Sequence, residues 1–447
     1  MQCKWQRIAQ GLLIAAAGFV AASLRAPAPL PAEGSYGSGY LQFHSVAPQQ
    51  GPFNHSLACK ATFIDAHART TPCTLYFKPN EERPPARCDY LICGTLKPTD
   101  RGMIQFKPER TAPWIPVEGS WSSAEWRYLA KESLRRYFKQ LFPDTHARHF
   151  LAAMATGDID DRLLSMEFNK VGLSHILAIS GFNFVLIAAV LGALLRSFLP
   201  FKLTYLLLFL LLSGYLLFLG LNPSILRAYV AISFYLLARF VGLRPTALDL
   251  LGLGIIVELV YNPLYVQDLG FQLTFLCTLG LLLFSAPLGK LLSFLLPRRP
   301  VSEIAHMSLV DKHGTLLCGL IRSSLATNLS AHLLALPLCL YVFHSFPLLS
   351  LVYNLFFPFC LSISLLLLIL GLMLGPFGLP IHALNSTFTA YILEIIGNPP
   401  ALLNIQLQLP DFPFPLLIAI LSILALTKSA QGGKIEYFLR GGRSSAG

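Results

Sequence analysis

Beyond residue 170 the chain is built of leucine-rich runs separated by short polar or basic connections. Each run is close to the length that crosses a bilayer, which needs about 20 apolar residues per helix, with a range near 17–25. Ten stretches qualify: Ile8–Leu24, Gly172–Leu195, Leu203–Leu219, Ser224–Phe240, Thr246–Tyr261, Leu269–Pro287, Leu316–Val342, Leu348–Leu374, His382–Ile396 and Phe414–Thr427. The ninth is short, amphipathic and carries Glu394, so it reads either as a span or as an interfacial or re-entrant helix. Only 13% of the 447 residues are charged against 54% hydrophobic, where a soluble domain carries roughly a quarter charged residues. A single soluble core, intrinsic disorder and a coiled coil are excluded. What remains is a polytopic α-helical membrane body of about ten spans with a smaller polar domain attached.

Basic residues at helix ends fix orientation. Lys4 and Arg7 precede the first span and predict a cytoplasmic N-terminus. Alternation then places Arg196 and Lys202, Arg239 and Arg244, and Lys290, Arg298, Arg299 and Lys312 inside, with Lys428, Lys434, Arg440 and Arg443 of the tail. The opposite connections, near Leu221, Asn262–Gln267, Phe346 and Asn398–Asp411, contain no Lys or Arg. The pattern predicts a multi-pass membrane protein with both termini in the cytoplasm. Its divisions are an anchor at 1–24, an extracytoplasmic β domain at 25–148, a polytopic body at 149–430 and a basic tail at 431–447. The first span also fits a cleaved secretory leader, with its basic start and the small residues near Ala21–Ser23; both readings leave residues 25–170 outside the cytoplasm.

Residues 25–148 carry 16 basic and 11 acidic side chains. The segment opens with a Pro/Ala/Gly/Ser stretch, Ala26–Gly39, read as a linker. Strand-like runs follow at Leu57–Ile64, Thr74–Phe77, Tyr90–Leu96 and Met103–Phe106, separated by turn chemistry such as Lys78-Pro79-Asn80. The reading is a small β domain, a partly open barrel, ending in an amphipathic helix. Cys59, Cys73, Cys88 and Cys93 lie in it, and an oxidising compartment permits disulfides among them; their spacing matches no familiar zinc pattern. In the helix Trp126–Phe142, the residues Trp126, Leu134, Tyr137, Phe138 and Leu141 supply an apolar side. Arg127, Lys131, Arg135 and Lys139 recur every four residues as a basic stripe. Such a helix either lies on lipid headgroups or gathers a polyanion such as DNA.

Polar groups inside a bilayer are costly and therefore informative. His175, Ser180 and Asn183 belong to the second span; Arg227 follows Asn222-Pro223-Ser224 at the start of the fourth; Asp268 and Gln272 open the sixth. Arg322, Asn328 and His332 lie on the seventh and Asn354 on the eighth. With the assigned orientation, His175, Arg227, Asp268, Gln272, His332 and Asn354 fall in the outer half, the expected lining of a polar vestibule. Each has a plainer role too: snorkelling for Arg227, helix capping for Asp268, helix–helix contacts for the small polar residues.

The segment Gly172-Leu173-Ser174-His175-Ile176-Leu177-Ala178-Ile179-Ser180-Gly181 resembles the signature of the ComEC-type competence protein family. Further matches follow in the family's order: Asn222-Pro223-Ser224 with Arg227-Ala228, then Asp268-Leu269-Gly270-Phe271-Gln272-Leu273-Thr274-Phe275, then Leu336-Pro337 with Asn354 and Pro358; Thr156-Gly157-Asp158 also fits. The resemblance implies an inner-membrane channel importing one DNA strand during natural transformation, with an OB-like outer domain. It also implies outer DNA-receptor proteins and a separate cytoplasmic ATP-driven motor; this chain has no Walker-type loop. Two departures stand out. Asn183 takes a place where the family usually has histidine. Many members carry a C-terminal metallo-β-lactamase-like domain, whereas no histidine/aspartate cluster follows the last span here, so the expectation is no nuclease or other enzyme activity, no metal and no cofactor.

Two rivals remain. One is a secondary transporter of a small solute or lipid, with Asp268 and Glu258 as coupling groups. The other is a non-catalytic scaffold for envelope assembly. A hydrolase built on His175 and Ser180 is disfavoured, because residues five apart share no helix face.

Overall fold

The computed structural model describes residues 35–408 except 51–54, 67–69, 79–80, 100–103, 110–111, 178–180, 222, 262, 298, 300–302, 304–306 and 401–404. The first and tenth expected spans and the basic tail lie outside the described residues. The described chain forms two compact units. One contains residues up to Pro245 together with Phe359–Asn398; the other contains Thr246–Pro358 and the residues after Pro399.

The first unit begins with a sheet of strands β1 (Ser35–Gln50), β2 (His55–Asp65), β3 (Thr70–Phe77), β4 (Tyr90–Pro98), β5 (Ile104–Pro108) and the short β6 (Ile115–Pro116). β1 pairs antiparallel with β2 along most of its length and with β4 through its first residues. β2 pairs with β3, β3 runs parallel to β5 at Thr74 and Gln105, and β5 pairs with β4. The order β1-β2-β3-β5-β4 thus returns to β1 and closes a small barrel. Alternation explains the closure: Leu41 and Phe43, Cys59, Ala61 and Phe63, Cys73, Leu75 and Phe77, Tyr90 and Ile92, and Phe106 all point inward and are buried. Phe63 and Phe106 stack at 5.0 Å across the interior. A register shift between Phe43 and Ser45 bends β1 as a bulge does.

One expectation for this domain is corrected. The stretch Ala26–Gly39 is not linker throughout, because Ser35–Gly39 is already strand, pairing with β4 from Ser35 and with β2 at Gly39. The cysteines Cys59, Cys73, Cys88 and Cys93 are all free thiols. Cys59 and Cys73 are buried inside the barrel, and burial pushes both thiols up to about 12. In the register Cys59 faces Leu75 and Cys73 faces Ala61, so neighbouring strands set them beside aliphatic partners rather than each other.

Helices follow. α1 is Ala124–Leu141, α2 Thr145–Thr156, α3 Arg162–Lys170, α4 Ser174–Leu177, α5 Gly181–Phe198, α6 Phe201–Leu219 and α7 Pro223–Val241. Asp144 and Asp161 cap α2 and α3 through bonds from the Ala147 and Leu163 amides. Helices α5, α6 and α7 pack around Phe184, Leu208, Leu212, Leu216, Ile225 and Leu236.

The second unit holds α8 (Ala247–Tyr261), a 3-10 turn (Pro263–Gln267), α9 (Leu269–Leu292), α10 (Leu309–Phe343) and the pair β7 (Ser345–Pro347) and β8 (Gln406–Gln408). Helix α11 (Leu349–Met373) begins here; its later part belongs to the first unit with α12 (Leu379–Gly397). Ser308 caps α10 by accepting from the Asp311 amide, which starts that helix ahead of the expected Leu316.

Among the described residues, five helices are long and apolar enough to cross a membrane: Phe201–Leu219, Ser224–Val241, Leu269–Leu292, Leu309–Phe343 and Leu349–Met373. Asn183–Phe198 is apolar but shorter. The expected fifth and ninth spans form as helices α8 and α12.

Candidate functional site

Helix α1 is held on three sides within the first unit. At its start, Glu125 is buried and accepts both guanidinium nitrogens of Arg83, at 2.7 and 2.9 Å, and the Ala86 amide at 2.7 Å. Arg127 donates to the His44 carbonyl of β1 at 2.6 Å. One turn on, Lys131 donates to Asp158 at 3.0 Å and to the Leu219 carbonyl, the last residue of α6, at 3.1 Å. Arg135 bridges Asp158 at 3.0 Å and Asp160 at 2.6 Å. Gly157 makes this possible: it ends α2 in the left-handed region, φ 78°, where glycine carries no Cβ penalty, and turns Asp158 back toward α1.

The basic stripe does not run along one open face. Lys131 and Arg135 are turned inward and neutralised by carboxylates of the loop after α2; Lys139 is exposed. The expected apolar side divides as well: Phe138 is buried, while Trp126 and Tyr137 are exposed. Within the cluster, burial lowers the Lys131 ammonium, opposed by Asp158. Asp160 is the group pushed toward its neutral form. Burial raises it to about 6; Arg135 pulls it down, while Asp158 and Glu132 add like charge. A carboxyl raised from 3.8 in this way favours the folded state most in acid, and that advantage drains away as pH climbs through about 6. Asp160→Asn removes the titration. Its melting temperature relative to wild type is expected to move in the variant's favour as pH rises from about 4 to about 7, read by thermal melts of purified protein.

The intramembrane candidates fall into two sets. In the first unit His175 is exposed, Asn183 is buried with its amide 3.7 Å from the Met154 sulfur, and Arg227 is buried near the start of α7. A Cβ on Gly181 would stand 3.4 Å from Ala228, an ordinary contact between the start of α5 and α7. Ser180 lies outside the described residues.

In the second unit Asp268 caps α9, accepting from the Phe271 amide at 2.7 Å. Gln272 donates to the Val266 carbonyl at 2.7 Å, stapling the 3-10 turn to the helix. Arg322 donates to the Leu296 carbonyl at 2.7 Å. Asn328 is buried and donates to the Leu351 carbonyl at 2.7 Å, joining α10 to α11. His332 bonds the Asn328 carbonyl at 2.8 Å and meets Phe346 edge-on. Asn354, one turn beyond Leu351, keeps its side-chain oxygen buried with no hydrogen-bond partner among the described residues. Asn328, His332 and Asn354 thus share one locality where α10 meets the start of α11.

A second polar locality escaped the sequence reading. Ser364 of α11 bonds Asn385 at 2.9 Å and Thr389 at 2.7 Å, both on α12, and all three are fully buried. His382, one turn before Asn385, is buried edge-on to Phe142, its ring against Gly371, where a Cβ would come within 2.5 Å. The spacing 382, 385, 389 was the available signal, a polar stripe inside an otherwise apolar run. Among the described residues no cluster of three or more His, Cys, Asp or Glu is placed to hold a metal ion.

Comparison with known proteins gives two matches. A family described as "Competence protein" matches residues 156–430. "ComE operon protein 3" of Bacillus subtilis (strain 168) is 28% identical over 217 residues, 47% of this chain and 24% of that protein. The match thus covers about a quarter of that relative's length. No solved structure matches the chain.

Proposed function

The chain belongs to the competence protein family, and from that membership and the architecture we propose that it forms the inner-membrane channel through which single-stranded DNA is imported. The family ties the chain to DNA uptake for competence; the channel, its substrate and its topology are our reading. We place about ten spans in the membrane, both termini in the cytoplasm and the barrel outside. The observation that carries the reading is the join within the first unit. A closed small barrel, of the kind an OB-fold uses for oligonucleotides, is held to α1 by Arg127, and Lys131 of α1 bonds the Leu219 end of an apolar helix. By the basic-residue pattern, Leu219 is the outer end of that helix.

The physics of transit sets what such a passage requires. At duplex spacing a strand carries one charge per about 3.4 Å, so a slab of about 30 Å holds about nine phosphates. Bare phosphates in hydrocarbon are prohibitively costly, so the path is wet. It is also sparsely cationic, because conduction needs weak, multiple sites. Within the first unit, Arg227 and the amide of Asn183 suit that demand. Strand collection moves in this reading to the outward face of β1, β2 and β3, where Tyr40, Lys60 and Tyr76 are exposed and available for stacking and phosphate contact. The chain acts without catalysis of its own, with a separate ATP-driven motor and outer DNA-receptor proteins as partners.

A small-solute transporter is the second reading, favoured by Glu258, a carboxylate fully buried in α8. Uptake separates the two. Cells lacking the gene are expected to leave labelled DNA open to external nuclease, and Arg227→Gln is expected to lower protected DNA while still inserting in the membrane. Normal internalisation in the deletion strain rejects the channel.

A further inference from the structure

Helix α1 carries a second face that neither the ion pairs nor the barrel uses. Trp126, Leu129, Ser133 and Tyr137 recur at i, i+3, i+7 and i+11, which sets them on one side of the helix. Trp126 is 56% exposed, and Trp121, just before the helix, is 80% exposed. Arg136 flanks the same side and is exposed. Of the acidic residues of α1, Glu125 is buried against Arg83, and Glu132, at the edge of this side, pairs with Arg135 at 3.6 Å. The outward face is thus aromatic and apolar, with Arg136 as its exposed cation.

Its position in the unit says what covers it. Lys131, on the opposite side of the helix, bonds the Leu219 carbonyl at the end of α6. Next to it, Arg127 lies 3.9 Å from where a Cβ would stand on Gly220. Helix α6 has 19 residues, about 28 Å at 1.5 Å per residue, matching the hydrocarbon thickness of about 30 Å. Its end therefore marks the membrane boundary, and α1 is tied at that depth. Tryptophan and tyrosine concentrate at that level because their rings are apolar and their N–H and O–H groups seek water. Basic side chains beside them meet lipid phosphates.

We propose that the outward face of α1, with Trp121, docks into the headgroup layer of an anionic phospholipid surface and so fixes the barrel at the membrane. The proposal rests on α6 spanning the bilayer. It also explains why only half of the amphipathic pattern turns inward: this helix has two partners, protein on the Lys131 side and lipid on the Trp126 side.

The test uses the full chain in nanodiscs of phosphatidylglycerol and phosphatidylcholine whose acyl chains carry bromine at shallow or deep positions. Subtracting the emission of Trp126→Phe and Trp121→Phe variants isolates each indole. The expected result is strong quenching of both by shallow bromine, little by deep bromine, and a weaker dependence of the effect on phosphatidylglycerol in an Arg136→Gln variant. Absence of quenching at both indoles overturns the proposal. So does a Trp126 response to a single-stranded oligonucleotide with none to brominated lipid, which assigns the face to nucleic acid. A protein that inserts and supports DNA uptake yet shows no quenching sinks the docking face alone and leaves the channel reading standing.

Discussion

Replacing Arg135 with alanine will destabilise the protein by about 3–5 kcal/mol, the usual cost of removing one partner from a buried ion pair. Arg135 is 12% exposed and faces Asp158, Asp160 and Glu132. Without it, two carboxylates remain in a poorly hydrated site with Lys131 alone. Lys131 pairs with Asp158, so Asp160 is left to protonate or to expel the loop. The loss should accordingly shrink toward acid pH, where Asp160 is already neutral. Adding Asp160→Asn is expected to recover part of the loss, and thermal melts of the two single variants and the double variant measure the coupling. Because the pair ties α1 to the loop after α2, DNA uptake should fall with stability in Arg135→Ala and return partly in the double variant.

The second large effect is steric and lies in the other unit. Gly280 of α9 packs against the backbone of α10: a Cβ there would stand 2.3 Å from the Ser330 carbonyl oxygen. Backbone cannot swing aside as a side chain can, so Gly280→Val has to push the two helices apart. Overpacking of this kind costs about 1–3 kcal/mol, occasionally more, and a β-branched residue gains little helix propensity to offset it. Small residues are what allow such close approach in membrane helices. The strain falls on α10, which carries Arg322, Asn328 and His332. Gly280→Val is expected to lower both the melting temperature and DNA uptake, with Gly280→Ala milder; wild-type melting of Gly280→Val would place the helices farther apart than the structure has them.

Much of the architecture was legible because hydrophobic length is a strong signal. Every expected span from Leu203 to Leu374 coincides with a helix, and Asp268 sits at a helix start where its side chain caps. Strand β1 was hidden because its first residues, Ser35-Tyr36-Gly37-Ser38-Gly39, share the composition of the linker-like stretch before them. Its pairing with β2 and β4 overrides that local character. The direction of Lys131 and Arg135 was illegible for a different reason. A basic stripe on a helix says nothing of carboxylates more than twenty residues further along, and Asp158 and Asp160 decide which way the stripe turns. Ser364, Asn385 and Thr389 were missed because each is a single small polar residue in an apolar run, and only the pairing of α11 with α12 brings them together.

The two thiols inside the barrel carry a consequence for how this domain matures. Cys59 and Cys73 are shielded by the closed sheet and held far from the thiolate form, and thiolate is the species that attacks a disulfide. Once β2 and β3 pair, the closed sheet thus withholds these two thiols from exchange.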